Sequence, residues 1–254
     1  MFDRKEYIEE ESPVKNVLLK LFKKNEPIII FDVGACEGEE SIRYKKMFSE
    51  ASIFLFEPLP KNQELIFQNI KKYNLDNVKL VPLALSNKDG FTDFYISSGQ
   101  PEELQKNFDW DFGNKSSSLL EPQIEHLPKW LKFSNVINVE TVTLNSFLEK
   151  ENIKNVDFVH MDVQGAELKV LMGAREKISS IKSIWLEVSD IELYKNQPLR
   201  NEIELFMIEN NFYLIKSEFS GQFGDQFYLN KKYYYTFSLF WGKIQFYFKK
   251  SNRD

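Results

Sequence analysis

The chain has little of what usually betrays a chemistry. Of its 254 residues one is cysteine, Cys36, and two are histidine, His126 and His160. A single thiol excludes an internal disulfide framework and suits a reducing compartment. No apolar run is long enough to cross a bilayer. The acidic opening MFDRKEYIEEESP lacks an apolar h-region, so no signal peptide is expected, and the chain reads as cytoplasmic. Basic surplus is absent too. Lys and Arg number 33 against 38 Asp and Glu, a formal charge of -5, which argues against a nucleic-acid-binding body because neutralising phosphates needs excess cations. No internal repeat is visible. What remains is 43% hydrophobic and 28% charged, enough for one sizeable core under a polar surface.

Val14, Val17, Leu18, Leu21 and Phe22 recur at helical spacing, which predicts an amphipathic helix over 12–24 within an N-terminal segment 1–27. The apolar runs IIIFDV (28–33), SIFLFE (52–57) and VKLVPLA (78–84) read as strands buried on both faces. Helical patterns lie between them, at 42–48 and around Ile66, Ile70 and Tyr73. This alternation predicts right-handed βαβ crossovers and a parallel sheet, an α/β domain over 28–230. NKDGF (87–91) is a turn leading into a β extension, FTDFYIS. Residues 98–135 carry SSS and three prolines without clear periodicity, and read as a lid-like insertion. Strands resume at 136–144, 156–161 and 181–188, with a helix through Leu168, Leu171, Met172 and Ile178. A helix at Ile203, Phe206 and Met207 precedes the strands FYLIKS and DQFYLN.

The densest signal is FDVGACEGEES (31–41). An acidic residue ends a buried strand, and Gly34 and Gly38 follow before a helix. Gly34 permits a tight turn and close approach of a ligand to the backbone, outside the carboxyl ends of the strands, where α/β sheets bind ligands. A dinucleotide loop would read G-x-G-x-x-G and place pyrophosphate on the helix N-terminus. Here Cys36 takes the second glycine's place, and Glu37, Glu39 and Glu40 crowd the helix start. Those carboxylates are expected to repel a pyrophosphate and tolerate a cationic sulfonium. Glu57, ending the next strand, can accept both ribose hydroxyls.

The motifs DVGACEG, FEP, ALSNKDG, SSSLL, VTLNSFL and VDFVHMDVQGAELKVLMGA occur in that order, and over roughly 28–230 the chain resembles the FkbM family of methyltransferases. The resemblance implies a Rossmann-like class I methyltransferase fold: a mostly parallel seven-stranded sheet with helices on both faces. It implies an S-adenosylmethionine-dependent O-methyltransferase, often acting on sugars or polyketides. By resemblance Asp32, Gly34, Ala35 and Gly38 cradle the methionine part, Glu57 holds the ribose, and Ala84 to Ser86 lie near the adenine. The family often has Asn at Cys36, and commonly Lys and Glu where this chain has His160 and Gln164.

For the acceptor, Asp162 closes the VDFVHM strand, His160 lies two residues earlier on the same side, and Glu187 ends the next strand. Asp162 or His160 is expected to take the hydroxyl proton. Asp162 and Glu187 are also candidate ligands for a shared Mg2+. His126 reads as a loop residue. In the lid, Trp110, Phe112 and Trp130 are expected to stack on a sugar, Asp109 and Asp111 to hold its hydroxyls, and Ser116 to Ser118 to bond either ligand. The tail 231–254 is basic and aromatic, which suggests a packed appendage, self-association or a peripheral membrane contact. The expected acceptor is a hydroxyl on a nucleotide sugar or surface glycan. A small natural product is the alternative, and a non-catalytic cofactor-binding scaffold the rival from another class. No N-P-P-Y base-methylation motif is present.

Overall fold

The computed structural model describes residues 4–101 and 112–234. Its centre is a seven-stranded sheet ordered β3-β2-β1-β7-β8-β10-β9. The strands are β1 (Ile29–Val33), β2 (Ser52–Phe56), β3 (Val78–Val81), β7 (Val156–Met161), β8 (Ile181–Ser189), β9 (Phe212–Ser220) and β10 (Phe223–Asn230). The first five are parallel, and β10 runs antiparallel between β8 and β9. This is the mostly parallel seven-stranded sheet that the resemblance implies. Helices accompany it, among the described residues α1 (Arg4–Glu9), α2 (Lys15–Leu21), α3 (Glu39–Met47), α4 (Pro60–Lys72), α5 (Leu144–Lys150), α6 (Glu167–Gly173) and α7 (Arg200–Glu209).

Strand alternation divides the core in two. Ile30, Ile53, Leu55, Phe158, Trp185 and Phe227 pack against Leu18, Tyr44, Phe48 and Ile66 of α2, α3 and α4. Phe31, Val33, Phe56, Val159, Met161 and Ile184 pack against α5, α6 and α7 through Phe147, Val170, Leu171 and Met207. Both faces are covered, which is why the strands read as unbroken apolar runs.

A second, three-stranded sheet joins β4 (Ala84–Leu85), β6 (Lys132–Val142) and β5 (Gly90–Ser98) in the order β4-β6-β5. It corrects the reading of 78–84 as one strand: β3 stops at Val81, and Ala84 belongs to the extension. The expected strand 136–144 is also shifted. It starts at Lys132, inside the segment read as lid, and stops at Val142 because Thr143 turns into α5. Likewise the helix expected over 12–24 shrinks to α2, and residues 175–180 form a 3-10 turn after α6.

Thr143 Oγ1 accepts the Ser146 amide at 3.1 Å, an N-cap on α5. Thr143→Ala should lower stability by about 1 kcal/mol, read as a lower denaturant midpoint at unchanged slope in equilibrium unfolding.

Candidate active site

The loop after β1 is fixed by contacts within the protein. Gly34 adopts φ +82°, and a Cβ there would lie 1.9 Å from the Asp162 carbonyl oxygen. The close approach that glycine was expected to allow a ligand is thus made first by the chain's own β7 loop. The Asp162 amide donates back to the Val33 carbonyl at 3.0 Å, and Gly34 and Ala35 both donate to Phe56. The strand ends β1, β2 and β7 are therefore clasped together. Gly38, at φ +83°, faces Leu55 and Ile66, and its role is to let α3 start close to the sheet.

Glu57, 4% exposed, follows β2. Its Oε2 accepts the Cys36 amide at 2.9 Å and its Oε1 accepts the Leu59 amide at 2.7 Å. A carboxylate offers about four acceptor positions, so room is left beyond these bonds. Burial pushes the Glu57 pKa up to about 8, against the lowering effect of the Leu59 amide, the Asn62 side chain and the Cys36 amide. Cys36 sits at φ +49°, its Sγ 3.9 Å from Asn62 Nδ2 and 3.8 Å from Asn114 Nδ2. Asn114 also donates to Asn62 Oδ1 at 2.6 Å. These two amides surround Cys36, and neither stood out in the sequence.

Glu57 opens into a pocket walled by Val33, Phe56, Ala84, Leu85, Phe94 and Leu119. Apolar walls with a few convergent polar groups are typical of small-ligand sites. Ser86 is absent from this wall. It is buried, and its carbonyl packs against Gly173 of α6. Ser117 does line the cavity, while Ser118 donates to the Gln164 carbonyl at 2.7 Å.

A second, open cleft of about 1000 Å³ adjoins it. Register places Asp32, His160 and Trp185 side by side across β1, β7 and β8, and Glu187 opposite Asp225 on β10. All five line this cleft together with Asp162 and Ala35. Gly34, Cys36 and Asp162 line both spaces.

Charge in the cleft is arranged by burial. Asp32 accepts Ser41 Oγ at 2.6 Å, and burial lifts its pKa to about 6 although His160 lowers it. His160 Nδ1 lies 3.8 Å from Asp32 Oδ1 and has no hydrogen-bond partner among the described residues. Glu187 is pushed well above the usual carboxylate range by burial, then by Asp162. Asp225 rises to about 6 for the same reasons. Gln164, at φ +53°, extends Nε2 between Asp162 Oδ1 (2.6 Å) and Glu187 Oε2 (3.1 Å). An amide donor thus stands where a shared cation would. Among the described residues no group of three His, Cys, Asp or Glu side chains is disposed to hold a metal, so the donor set does not fit the expected Mg2+.

The carboxylates at the helix start also differ from expectation. Glu37 pairs with Arg4, Glu39 lies 3.8 Å from both Arg4 and Lys115, and Glu40 pairs with Arg43 at 2.6 Å. Internal cations offset them, so repulsion of pyrophosphate there is weaker than the sequence suggests. The carboxylates facing the cleft without an ion pair among the described residues are Glu10, Asp162, Glu187 and Asp225. His126 is exposed, its Nδ1 2.9 Å from the Glu192 carbonyl oxygen. Phe112 and Trp130 line neither space. Asp109, Trp110 and Asp111 lie outside the described residues, as does the tail beyond Tyr234.

Residues 32–214 match the model of the methyltransferase FkbM domain. The chain belongs to this family. Membership makes it an S-adenosylmethionine-dependent O-methyltransferase. It is 32% identical over 195 residues to the 2-O-methyltransferase NoeI of Sinorhizobium fredii, covering 76% of each chain. It is 25% identical over 201 residues to the methyltransferase sdnD of Sordaria araneosa, covering 72% of this chain and 73% of that one. The solved structure of M. capricolum TrmK with S-adenosyl-homocysteine overlays at a TM-score of 0.46 and 12% identity, over 87% of this chain and 68% of that one. Among the described residues of this FkbM methyltransferase no helix is long and apolar enough to cross a membrane.

Proposed function

We propose that this FkbM methyltransferase methylates a hydroxyl of a sugar, with Asp162 as the group that takes the hydroxyl proton. The observation that carries the placement is the junction: among the described residues Asp162 is the one carboxylate lining both spaces. The sugar reading is supported by the similarity to a 2-O-methyltransferase and by a cleft lined with hydrogen-bonding carboxylates beside an indole.

The residues fit the cofactor's polarity. Glu57 would accept the ribose hydroxyls with its free lone pairs, and Ala84, Leu85, Phe94 and Leu119 would wall the adenine. Asp32, Gly34 and Ala35 would border the methionine end. When bound, S-adenosylmethionine supplies an electrophilic methyl carried by a sulfonium. The chain's part is positioning an acceptor oxygen in line and removing its proton. Asp162, exposed to the cleft and oriented by Gln164, accepts that proton. Glu187, whose carboxyl burial holds well above the usual range, is placed to hydrogen-bond a neighbouring sugar oxygen. His160 lines only the acceptor cleft, one strand position deeper, and orients the acceptor beside Asp32.

Glu57 tests the cofactor half of this reading. In calorimetric titration Glu57→Ala should weaken S-adenosylmethionine binding by about 1.5–3 kcal/mol, the cost of losing hydrogen bonds to a charged acceptor. The ionised carboxylate is the better acceptor, so wild-type affinity should rise with pH and level off above about 8. Below that value each pH unit can weaken binding by up to about tenfold. Stability without ligand should run the opposite way. A carboxyl raised from its unfolded value favours the fold at acid pH, and that contribution is lost as pH climbs through about 8. A flat affinity profile between pH 6 and 9 would remove Glu57 from the site. Release of S-adenosylhomocysteine in the presence of sugars, and of no other hydroxyl compound, tests the acceptor half.

A further inference from the structure

The family match begins at residue 32 and ends at 214, yet the acceptor cleft is completed from outside those limits. Tyr7, Glu10, Glu11, Ser12 and Pro13 form one wall, and Asp225 of β10 closes another. The N-terminal wall is anchored on three sides. Arg4 pairs with Glu37, and Tyr7 donates to Glu40 while its ring lies 4.6 Å from the Arg43 guanidinium and 5.4 Å from Lys115 Nζ. Ile8 is buried, and Lys46 reaches Glu9 at 2.7 Å. Farther on, Lys216 of β9 donates to the Pro13 carbonyl at 2.6 Å. A segment held this way presents fixed side chains to whatever occupies the cleft.

Those side chains are acidic. Eight carboxylates line the cleft against one guanidinium and one imidazole. Arg43 is committed to Glu40 and the Tyr7 ring, and His160 faces Asp32. The cations just outside are also engaged: Lys15 with Glu11, Lys46 with Glu9, Lys115 near Glu39. A phosphate in this cleft would find no uncommitted cation among the described residues and would meet Glu10, Asp162 and Asp225. A neutral hydroxyl or an ammonium meets mostly hydrogen-bond acceptors there, among them Glu10, Asp162 and Asp225. Exclusion by like charge is a common route to specificity.

We propose that Tyr7–Pro13 and Asp225, both outside the family domain, form the acceptor-selecting wall of the cleft and restrict it to uncharged or amine-bearing sugars, shutting out sugar phosphates and nucleotide sugars. This rests on the sugar-hydroxyl reading and narrows it to glycan or free glycoside acceptors.

The test uses the full chain with S-adenosylmethionine and a panel of hexoses. Each hexose is offered as its methyl glycoside, its 2-amino glycoside, its 1-phosphate and its uridine diphosphate derivative. The neutral and amino forms should show kcat/KM at least about tenfold above the phosphorylated forms, a gap that narrows as salt screens the wall. Glu10→Lys with Glu11→Lys, both at exposed positions, should reduce the gap by about threefold or more at low salt. Asp225→Asn provides a second variant if the first melts abnormally. If phosphorylated sugars are used as well as or better than neutral ones, the inference falls and the sugar reading stands. If no hexose in any form is methylated, the sugar reading falls and the inference with it. If neither variant moves the preference while both melt cooperatively, the wall does not select.

Discussion

Asp162→Asn should cut turnover by about 10²–10⁴ while leaving the dissociation constant for S-adenosylhomocysteine nearly unchanged, because it removes a proton acceptor and little else. The replacement keeps the shape of the side chain and can still accept from Gln164, so the loop has no reason to move. Single-turnover rates with an acceptor that the wild-type enzyme methylates, beside calorimetry with the product cofactor, separate the two effects. His160→Gln is the informative companion. A side chain that orients the acceptor should cost mainly KM, whereas a proton acceptor should cost kcat. A loss in kcat larger for His160→Gln than for Asp162→Asn would move the chemistry one strand position deeper and overturn the assignment. Neither variant should respond to exhaustive chelation or added Mg2+, since Gln164 Nε2 bridges the two carboxylates that would bind it.

The second large effect is on folding. Gly34→Ala forces a side chain into the left-handed region and drives its Cβ to within 1.9 Å of the Asp162 backbone oxygen. A backbone carbonyl cannot swing aside as a side chain can. The clasp between the β1 and β7 loops must open, with the loss of the Asp162–Val33 hydrogen bond. A destabilisation above about 4 kcal/mol is expected, in the range where few single substitutions fall. Thermal unfolding would show it as a large drop in Tm or as insoluble protein. Gly38→Ala is the control. Its φ is also +83°, but the nearest atom is the flexible end of Leu55 at 3.2 Å, so about 1–2 kcal/mol is expected. Near-equal melting of the two variants would mean that φ, and not the approach of Asp162, makes glycine necessary at 34.

Much of this architecture is legible in the sequence because burial on both faces writes itself as continuous apolar runs. IIIFDV, SIFLFE, VDFVHM and IKSIWLEV stand where β1, β2, β7 and β8 stand. The residues that escaped notice depend on distant pairings. Asp225 looks like one more polar residue in DQFYLN until antiparallel register sets it against Glu187. Asn62 and Asn114 are 52 positions apart and meet only around Cys36. The break after Val81 hides because VPLAL stays apolar across it, although Pro82 marks it. Tyr7 gave no signal, since a six-residue helix has too few turns for periodicity to show.

The placement of β10 bears on how the chain comes to be active during synthesis. Strand β9 pairs only with β10, and β10 alone covers the outer edge of β8. As the nascent chain leaves the ribosome, β9 emerges first and has no docked neighbour to add to. Until residues 223–230 follow, Trp185 and Glu187 stand at an open sheet edge, which is the kind of edge that invites pairing with another chain. The cleft that Tyr7 begins is therefore completed by Asp225 of β10, and a chain stopped short of residue 225 lacks that wall.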